Sequence, residues 1–332
     1  MMSVSAAVSA ALPAVEELLL DTARRKSGAS LAPAVEHLLA AGGKRIRPRL
    51  TVACALAGST TQARPAVLER AVPAAAAIEL LHLSTLVHDD IIDDAGLRRG
   101  VPTVNALWGD ATAVLVGDVL LANAVDLAGT AWPQAAQTLG RAYRRICEGQ
   151  ASETEQRFDV CRSAADYFDA IDGKTAALIG LCCELGGGAS QLPVHSIANL
   201  RKIGHHLGRA FQLLDDALDV VGSEAALGKP AGHDIIEGVY TYPLILALDA
   251  ESQLAELLAA PLTDGRRLEA LKIVAGSGAV KATVARAGEE ADLARRELRG
   301  LSASDSFAPE AIDLLPSLTL SPLLNSLGPM VD

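Results

Sequence analysis

Aromatic residues make up only 3% of this 332-residue chain, whereas hydrophobic residues make up 50%. Strict alternation of apolar and polar residues between turns, which is typical of half-buried β-strands, is missing. Apolar residues recur instead at helical spacing, as in PAVEELLLDTARR and RRLEALKIVAG. The sequence therefore predicts an all-α protein.

Positive charge is also scarce, because 29 Lys and Arg against 40 Asp and Glu give a formal net charge of −11. Nucleic-acid backbones are bound by basic surfaces, so we expect no nucleic-acid partner. The five cysteines form an odd number without a CxxC pair, which argues against a disulfide framework or a zinc site. No basic residue precedes Arg24, so the charged start of a signal peptide is missing and we expect a cytoplasmic protein.

No charge run or Pro/Ser-rich linker divides the chain. We therefore predict one domain over residues 1–332, a bundle of about ten or more helices around a central apolar cavity. The Ala/Ser-rich residues 1–10 are expected to be disordered. The most apolar stretch, AVLVGDVLLANAVDLAG, is interrupted by Asp118, Asn123 and Asp126, so we expect a buried helix there and no transmembrane segment.

The stretch LVHDDIIDDAGLRRG places acidic residues directly after an apolar run. In a helix, Asp89 and Asp93 would share one face with Cβ atoms about 6 Å apart. Two carboxylates at that distance repel by roughly 3 kcal/mol at an effective dielectric constant near 20. A solvated face or a helix N-terminus is the ordinary explanation for one such cluster. The chain repeats the DDxxD spacing in FQLLDDALDVVG, however, and two copies indicate a cation site.

Oxygen ligands of this kind suit Mg²⁺, which commonly bridges carboxylates and a substrate phosphate. The candidate metal ligands are Asp89, Asp90, Asp93, Asp215, Asp216 and Asp219. Arg and Lys side chains could then bind a diphosphate, although each of them alone is more commonly a solvated surface cation. The candidates are Lys44, Arg45, Arg47, Arg98, Arg99, Lys174 and Lys229.

Six stretches together carry a family resemblance over roughly residues 40–245. They are GGKRIRP, LLHLSTLVHDDIIDDAGLRRGVPTVNALWGDATAVLVGD, EGQASE, KTAALIG, LGRAFQLLDDALDV and LGKPAGHDIIEG. In this order they resemble the trans-isoprenyl diphosphate synthases, the polyprenyl synthetase family. Two departures are Val239, where the family often has lysine, and a C-terminus without basic residues. The form with valine is similar to polyprenyl synthetases of actinobacterial type.

The resemblance implies a homodimeric prenyltransferase that joins an allylic diphosphate to isopentenyl diphosphate. It implies that Asp89, Asp93 and Asp215 ligate about three Mg²⁺ ions on the allylic diphosphate, with Asp90, Asp216 and Asp219 in support. Arg98, Lys174 and Lys229 would contact the same diphosphate, and Lys44, Arg47, His82 and Arg99 would bind isopentenyl diphosphate. Thr175 and Gln212 would stabilise the cationic intermediate.

Two histidine features are weaker. Without the resemblance, His82 would be interpreted as a hydrogen-bonded core histidine on an apolar helix. The adjacent pair His205 and His206 could suggest a metal site, but adjacent residues do not share a helix face, and no role is assigned to them.

Product length should depend on residues that precede Asp89 on the same helix. Ser84 and Thr85 lie about 6 to 7.5 Å below Asp89 and are small, whereas Leu81, about 12 Å below, is the next obstruction. We therefore predict a medium or long product of roughly thirty to fifty carbons on the basis of helical rise.

Three other functions could use a similar sequence pattern. A geranylgeranyl or farnesyl diphosphate synthase would share the chemistry with a shorter product, and a non-catalytic regulatory subunit of a heterodimeric synthase would lack turnover on its own. A class I terpene cyclase is disfavoured because it needs Ser or Thr four residues after Asp215 and Glu eight residues after. Those positions hold Asp219 and Ser223.

Overall fold

The computed structural model describes residues 2–98, 100–222, 231–259, 263–304 and 307–328. Two of the predicted binding residues, Arg99 and Lys229, lie outside the described residues. The prediction of an all-α protein is confirmed, because helices form nearly all of the regular structure in those ranges.

The N-terminal helices are α1 (Val4–Lys26), α2 (Gly28–Ala40), α3 (Ile46–Ala57), α4 (Arg64–Ile92), α5 (Val104–Trp108), α6 (Asp110–Ala131) and α7 (Ala135–Glu155). The others are α8 (Ala164–Ile171), α9 (Ala177–Ala189), α10 (Val194–Val221), α11 (His233–Glu237), α12 (Tyr242–Ala250), α13 (Ser252–Leu258), α14 (Asp264–Gly276), α15 (Ala279–Ser304) and α16 (Ala311–Leu327). A π-helical turn, Asp172–Ala176, joins α8 to α9. A short antiparallel hairpin, β1 (Leu97–Arg98) and β2 (Val101–Pro102), follows α4.

The expectation that residues 1–10 are disordered is wrong for the segment from Val4 onward, because α1 begins there. The side chain of Ser3 caps the helix by accepting a hydrogen bond from the amide of Ala6 at 3.2 Å. Val4, Ala7 and Val8 are buried at helical spacing, so this segment contributes to a core despite its low-complexity composition.

The chain divides into two compact units. The first comprises Met1–Tyr143, Leu178–Gly204 and Glu297–Leu318, and the second comprises Arg144–Ala177, His205–Arg296 and Thr319–Asp332. The single domain over residues 1–332 stays a prediction.

In the first unit, α4 packs along α6 and against α3 and α1. Small residues allow a close approach of α4 and α6. The buried hydroxyl of Ser84 donates a hydrogen bond to the carbonyl oxygen of Gly117 at 2.8 Å. A Cβ atom at Gly117 would lie 2.0 Å from Nε2 of His88, so a larger residue there would displace the His88 side chain.

In the second unit, an apolar core joins α11, α12, α13 and α14. Its members include Ile235, Tyr240, Leu244, Leu254 and Leu271. This core supports the segment that follows α10 in the described part of the chain.

Among the described residues, two helices, α4 and α6, are long and apolar enough to cross a membrane by length and composition alone. The apolar window of α4 is 78% buried and that of α6 is 44% buried, and the core helix of a soluble protein passes the same test. Buried acidic groups such as Glu79 and Asp90 on α4 also suit a protein interior with ion pairs. The expected absence of a transmembrane segment stays a prediction.

Candidate active site

The first acidic cluster lies at the C-terminal end of α4, in the first unit. Asp89 and Asp90 belong to its last turn, and Asp93 caps it. The amide of Asp93 donates to the carbonyl oxygen of Asp89 at 2.9 Å, so this pair retains helical spacing as predicted. A helix C-terminus carries partial negative charge, which makes carboxylates unfavourable there. The ordinary alternative of an acidic helix N-terminus is therefore excluded for this cluster.

Asp90 is buried, unlike most aspartates, which are solvated. Its side chain is 2% exposed, and its Oδ1 accepts hydrogen bonds from Nε and Nη2 of Arg98, each at 2.6 Å. Burial raises the pKa of Asp90, and the charge of Arg98 opposes that rise. The other oxygen, Oδ2, is buried and has no hydrogen-bond partner among the described residues. The hairpin β1–β2 supplies Arg98, so it determines the environment of the cluster.

The predicted basic loop lies before α3 in the same unit. Lys44 is exposed and Arg47 is half-buried. Between them, Arg45 adopts a left-handed backbone conformation with φ of 50°. Its guanidinium donates to Glu16 at 2.6 Å and to Glu79 at 2.8 Å. These bonds fix the loop to α1 and α4.

His82 and the residues predicted to set product length also lie on α4. His82 is 8% exposed, and Leu81 and Ser84 are fully buried. Ser84 faces α6 through its bond to Gly117, and the hydroxyl of Thr85 donates to the carbonyl oxygen of His82 at 2.8 Å. The role of these residues in product length stays a prediction.

The second acidic cluster lies in the last two turns of α10, in the second unit. Asp215 is exposed, whereas Asp216 and Asp219 are buried. The Oδ2 atom of Asp219 accepts a hydrogen bond from the amide of Asp234 at 3.2 Å, and its carbonyl oxygen accepts one from the amide of Gly232 at 2.8 Å. Asp219 thus connects the end of α10 to the start of α11.

Both carboxylate oxygens of Asp216 accept hydrogen bonds within this unit. The hydroxyl of Tyr167 donates to Oδ2 at 2.5 Å, and Nε2 of Gln212 donates to Oδ1 at 2.8 Å. Burial raises the pKa of Asp216 to about 7, although both hydrogen bonds act in the opposite direction. Asp216 is consequently a well-ordered group rather than a solvated one.

The π-helical turn presents Lys174 and Thr175. The Nζ of Lys174 donates to Glu153 on α7 at 2.6 Å, and the hydroxyl of Thr175 donates to Oε1 of Gln212 at 2.7 Å. At the start of the turn, the carboxylate of Asp172 accepts hydrogen bonds from Nε and Nη2 of Arg209, at 2.6 and 2.5 Å. A charged pair at one end and a hydrogen-bond chain at the other hold the turn in place.

The glycines of the EGQ and DGK stretches, Gly149 and Gly173, lie where α7 packs on the π-helical turn. A Cβ atom on Gly149 would lie 2.6 Å from the amide nitrogen of Lys174, and one on Gly173 would lie 2.7 Å from the Cα of Gly149. Real Cβ contacts are longer, so the backbones of α7 and the turn can approach this closely only with glycine at both positions.

Within the described ranges, no group of three or more His, Cys, Asp or Glu side chains could hold a metal by itself. The chemistry of the donors nevertheless fits Mg²⁺. All of the predicted ligands are carboxylates, and Mg²⁺ typically takes one or two carboxylates and completes its shell with water and substrate phosphate. The unsatisfied Oδ2 of Asp90 is a further acceptor in the first cluster.

Two residues that hold the predicted ones were not expected from the sequence, Glu153 and Tyr167, whereas Arg45, expected to bind a diphosphate, is paired with Glu16 and Glu79. A charged or hydroxyl-bearing residue in an apolar stretch is a weak signal for such a role. Tyr167 stands in AADYFDAI, but its partner Asp216 lies 49 residues further along the chain, and nothing local to either stretch links them.

Comparison with known proteins gives consistent results. A family model described as polyprenyl synthetase matches residues 29–273. The chain is 36% identical over 311 residues to a heptaprenyl diphosphate synthase component 2 from Geobacillus stearothermophilus, covering 93% of this chain and 90% of that protein. It is 36% identical over 278 residues to a nonaprenyl diphosphate synthase from Mycobacterium tuberculosis, covering 82% and 81%.

Among solved structures, a polyprenyl synthase from Caulobacter crescentus complexed with calcium and isoprenyl diphosphate is similar, with a TM-score of 0.86. It is 36% identical, and the alignment covers 96% of each chain.

Proposed function

This chain belongs to the polyprenyl synthetase family, and from that premise we propose that it is a trans-prenyltransferase. It condenses an allylic diphosphate with isopentenyl diphosphate, head to tail, to give an all-trans polyprenyl diphosphate. The observation that carries this proposal is the position of both DDxxD clusters at the C-terminal ends of long helices, α4 and α10. Negative charge is unfavourable at a helix C-terminus, so each cluster is suited to a bound cation.

Magnesium, when bound, would neutralise negative charge on the departing diphosphate. We assign its ligation to Asp89, Asp93 and Asp215, which are less buried than the other motif aspartates. Asp90, Asp216 and Asp219 support them through hydrogen bonds within their own units.

The other residues of the chain act on the substrates directly. Arg98 and Lys174 bind the allylic diphosphate and stabilise it as the allylic C–O bond breaks. Lys44, Arg47 and His82 bind isopentenyl diphosphate, whose double bond then attacks the allylic cation. The proton lost afterwards goes to the released diphosphate. Aliphatic side chains exclude water, which would otherwise trap the cation.

This function is tested with a matched pair of substitutions in the first cluster. Asp89→Asn removes a proposed ligand charge, whereas Asp94→Asn changes an exposed carboxylate five residues away with φ of 50°, a conformation that Asn tolerates. Incorporation of labelled isopentenyl diphosphate should fall at least about 100-fold in Asp89→Asn, as expected for loss of electrostatic stabilisation. It should remain unchanged in Asp94→Asn. Equal activity of the two variants would contradict the assignment.

For product length, we propose a medium to long chain. Ser84 and Thr85 are small, and Leu81, about 12 Å from Asp89 by helical rise, is the next proposed obstruction. The two synthases with 36% identity described above are named for heptaprenyl and nonaprenyl products, which supports this range. A geranylgeranyl or farnesyl product remains the outcome if a neighbouring helix closes the cavity above Leu81.

A second candidate function is that of a subunit in a two-component synthase. The relative from Geobacillus stearothermophilus is named as component 2, and Val239 departs from the usual family pattern. If this chain alone shows no prenyl-transfer activity but becomes active when mixed with a second synthase subunit, the second function replaces the first.

We further propose a cytoplasmic homodimer. Helices α5 and α6 expose apolar side chains, among them Leu107 (48% exposed), Val114 (43%) and Leu115 (55%). Exposed apolar patches of this kind are typical of protein interfaces. Sedimentation equilibrium should give twice the chain mass of 34.3 kDa. Leu115→Glu should shift the protein toward the monomer, because it places a charge in the proposed interface.

A further inference from the structure

Four side chains of the second unit form one continuous hydrogen-bond chain. Tyr167 donates to Asp216, Gln212 donates to the other oxygen of Asp216, and Thr175 donates to Gln212, over distances of 2.5, 2.8 and 2.7 Å. Tyr167 is 1% exposed, so its hydroxyl is not accessible for direct contact with a substrate. It is also absent from the roles that the family resemblance implies.

The ring of Tyr167 is held on several sides. It stacks on Tyr242 with centroids 5.6 Å apart and meets Phe168 edge to face at 5.3 Å. The guanidinium of Arg162 lies over it, 5.8 Å from the centroid. The hydroxyl therefore has a fixed position from which to orient its acceptor.

The direction of every bond in the chain follows from Asp216. The ionised carboxylate of Asp216 only accepts hydrogen bonds. Its Oδ1 atom can therefore face the amino group of Gln212 but not the carbonyl oxygen of Gln212. With the amino group turned toward Asp216, Oε1 of Gln212 must face Thr175 and accept its hydroxyl proton. The hydroxyl of Thr175 then has only lone pairs left to offer to another group.

Lone pairs are what a developing positive charge requires. If Gln212 were reversed, its amino group would face Thr175, and the hydroxyl proton would point toward the reacting carbon instead. A proton in that position would repel a cation, whereas an oxygen lone pair attracts it. The orientation of one buried amide therefore decides the sign of the local electrostatic contribution.

We propose that Tyr167 is a positioning residue for the prenyl transfer, which acts through Asp216 and Gln212 to keep the lone pairs of Thr175 available to the allylic cation. The inference rests on the proposed function and deepens it. Tyr167 touches neither substrate and acts only by fixing the orientation of groups that do.

The first test compares Tyr167→Phe with Tyr242→Phe. The former removes only the donor at the start of the chain, and the latter removes a hydroxyl from the stacked ring beside it. In Tyr167→Phe we expect kcat to fall about tenfold, the scale of one lost hydrogen bond, with both KM values within about twofold. Tyr242→Phe should match the wild type. Full kcat in Tyr167→Phe overturns the inference, and so does an equal loss in the control.

A double-mutant cycle separates positioning from general loosening of the fold. Thr175→Val removes the hydroxyl on which Tyr167 is proposed to act, and Thr175→Ser retains it. Adding Tyr167→Phe to Thr175→Val should lower kcat by less than about twofold, whereas adding it to Thr175→Ser should again cost about tenfold. Independent, multiplicative losses in both backgrounds would contradict the inference.

A binding measurement distinguishes failure of this inference from failure of the proposed function. The probes are an alkylammonium analogue of geranyl diphosphate, in which a positive nitrogen replaces the ionising carbon, and its uncharged carbon isostere. By calorimetry with magnesium, Tyr167→Phe should weaken the charged probe about tenfold and the isostere less than about twofold. Equal weakening of both probes overturns the inference. Wild-type protein that binds neither probe and turns over no substrate overturns the proposed function and this inference with it.

Discussion

Aspartates of the two clusters differ in their surroundings at the level of single residues. Asp89 and Asp93 are half-buried and Asp215 is exposed, whereas Asp90 and Asp216 are almost fully buried. Burial of a charge is costly unless hydrogen bonds compensate for it, and Arg98 and Tyr167 provide such bonds. The same motif therefore combines accessible carboxylates with carboxylates that orient neighbouring side chains.

Ser84→Phe tests the direction of product growth. Ser84 is fully buried on the α6 side of α4, and its hydroxyl bonds to Gly117. A phenyl ring there should obstruct the proposed path of the growing chain and shorten the product. Overpacking should also lower the free energy of unfolding by about 1 to 3 kcal/mol. Mass spectrometry of the products checks the first result and denaturant unfolding the second.

Ser84→Ala is the matched control for that variant, because it loses the hydrogen bond without adding volume. Its products should keep the wild-type length. If Ser84→Phe also makes wild-type products, the growing chain does not pass this position.

At the scale of elements, the π-helical turn is the part of the second unit on which most proposed contacts depend. It carries Lys174 and Thr175, Arg209 binds its first residue, and Gly149 of α7 packs directly on its backbone. Nothing in the periodicity of DGKTAALIG distinguishes a π-helical turn from an ordinary α-helix, so the sequence did not predict it. The close contact between this turn and the backbone of α7 at Gly149 is seen only in the folded structure.

Gly149→Ala should displace this turn, since the added Cβ would lie 2.6 Å from the amide nitrogen of Lys174. We expect kcat to fall at least about tenfold and the free energy of unfolding to fall by about 1 to 3 kcal/mol. Steady-state kinetics and urea unfolding measure the two effects.

Gly140→Ala on the same helix is the control, because its Cβ would meet nothing within 4 Å. Alanine in an exposed helix position should stabilise the protein by about 0.4 to 1 kcal/mol and leave turnover unchanged. Loss of activity in both variants would show that α7 does not tolerate alanine in general and would remove the support for a specific contact at Gly149.

Other elements were predictable to different degrees. Four-residue spacing placed Asp89 and Asp93 on one helix, and the structure has them in helical register. Only the start of helix α1 was not predicted, because the Ala/Ser-rich composition of residues 1–10 is typical of a disordered terminus despite the helical spacing of Val4, Ala7 and Val8. The bond between Tyr167 and Asp216 joins residues 49 positions apart, and only the folded backbone brings such residues together.

For the molecule as a whole, the free energy of unfolding should depend on pH through a buried carboxylate in α15. Glu290 is fully buried and bonds to His206 at 2.6 Å and to Arg286 at 2.7 Å, with Arg209 also close. Burial acts to raise the pKa of Glu290, but the hydrogen bond from His206 and the charges of Arg209 and Arg286 outweigh it, so the pKa is lowered.

A lowered folded-state pKa means that Glu290 stabilises the fold above its unfolded pKa near 4.5 and loses that contribution as pH falls through the folded value. Glu290→Gln should therefore have a lower Tm than the wild type at pH 6 to 7. The difference should shrink as the pH drops below about 4.5. Calorimetric scans across that range provide the check, and a difference in Tm that is constant with pH would contradict the assigned cause.

We propose that this chain alone elongates an allylic diphosphate with isopentenyl diphosphate. The most direct test incubates the purified chain with magnesium, labelled isopentenyl diphosphate and, in turn, geranyl, farnesyl or geranylgeranyl diphosphate, and reads product length by mass. We expect a ladder of products that ends well beyond twenty carbons, which is the outcome expected for an open cavity past Thr85. Absence of any product from the chain alone would contradict the claim and favour a subunit that needs a partner.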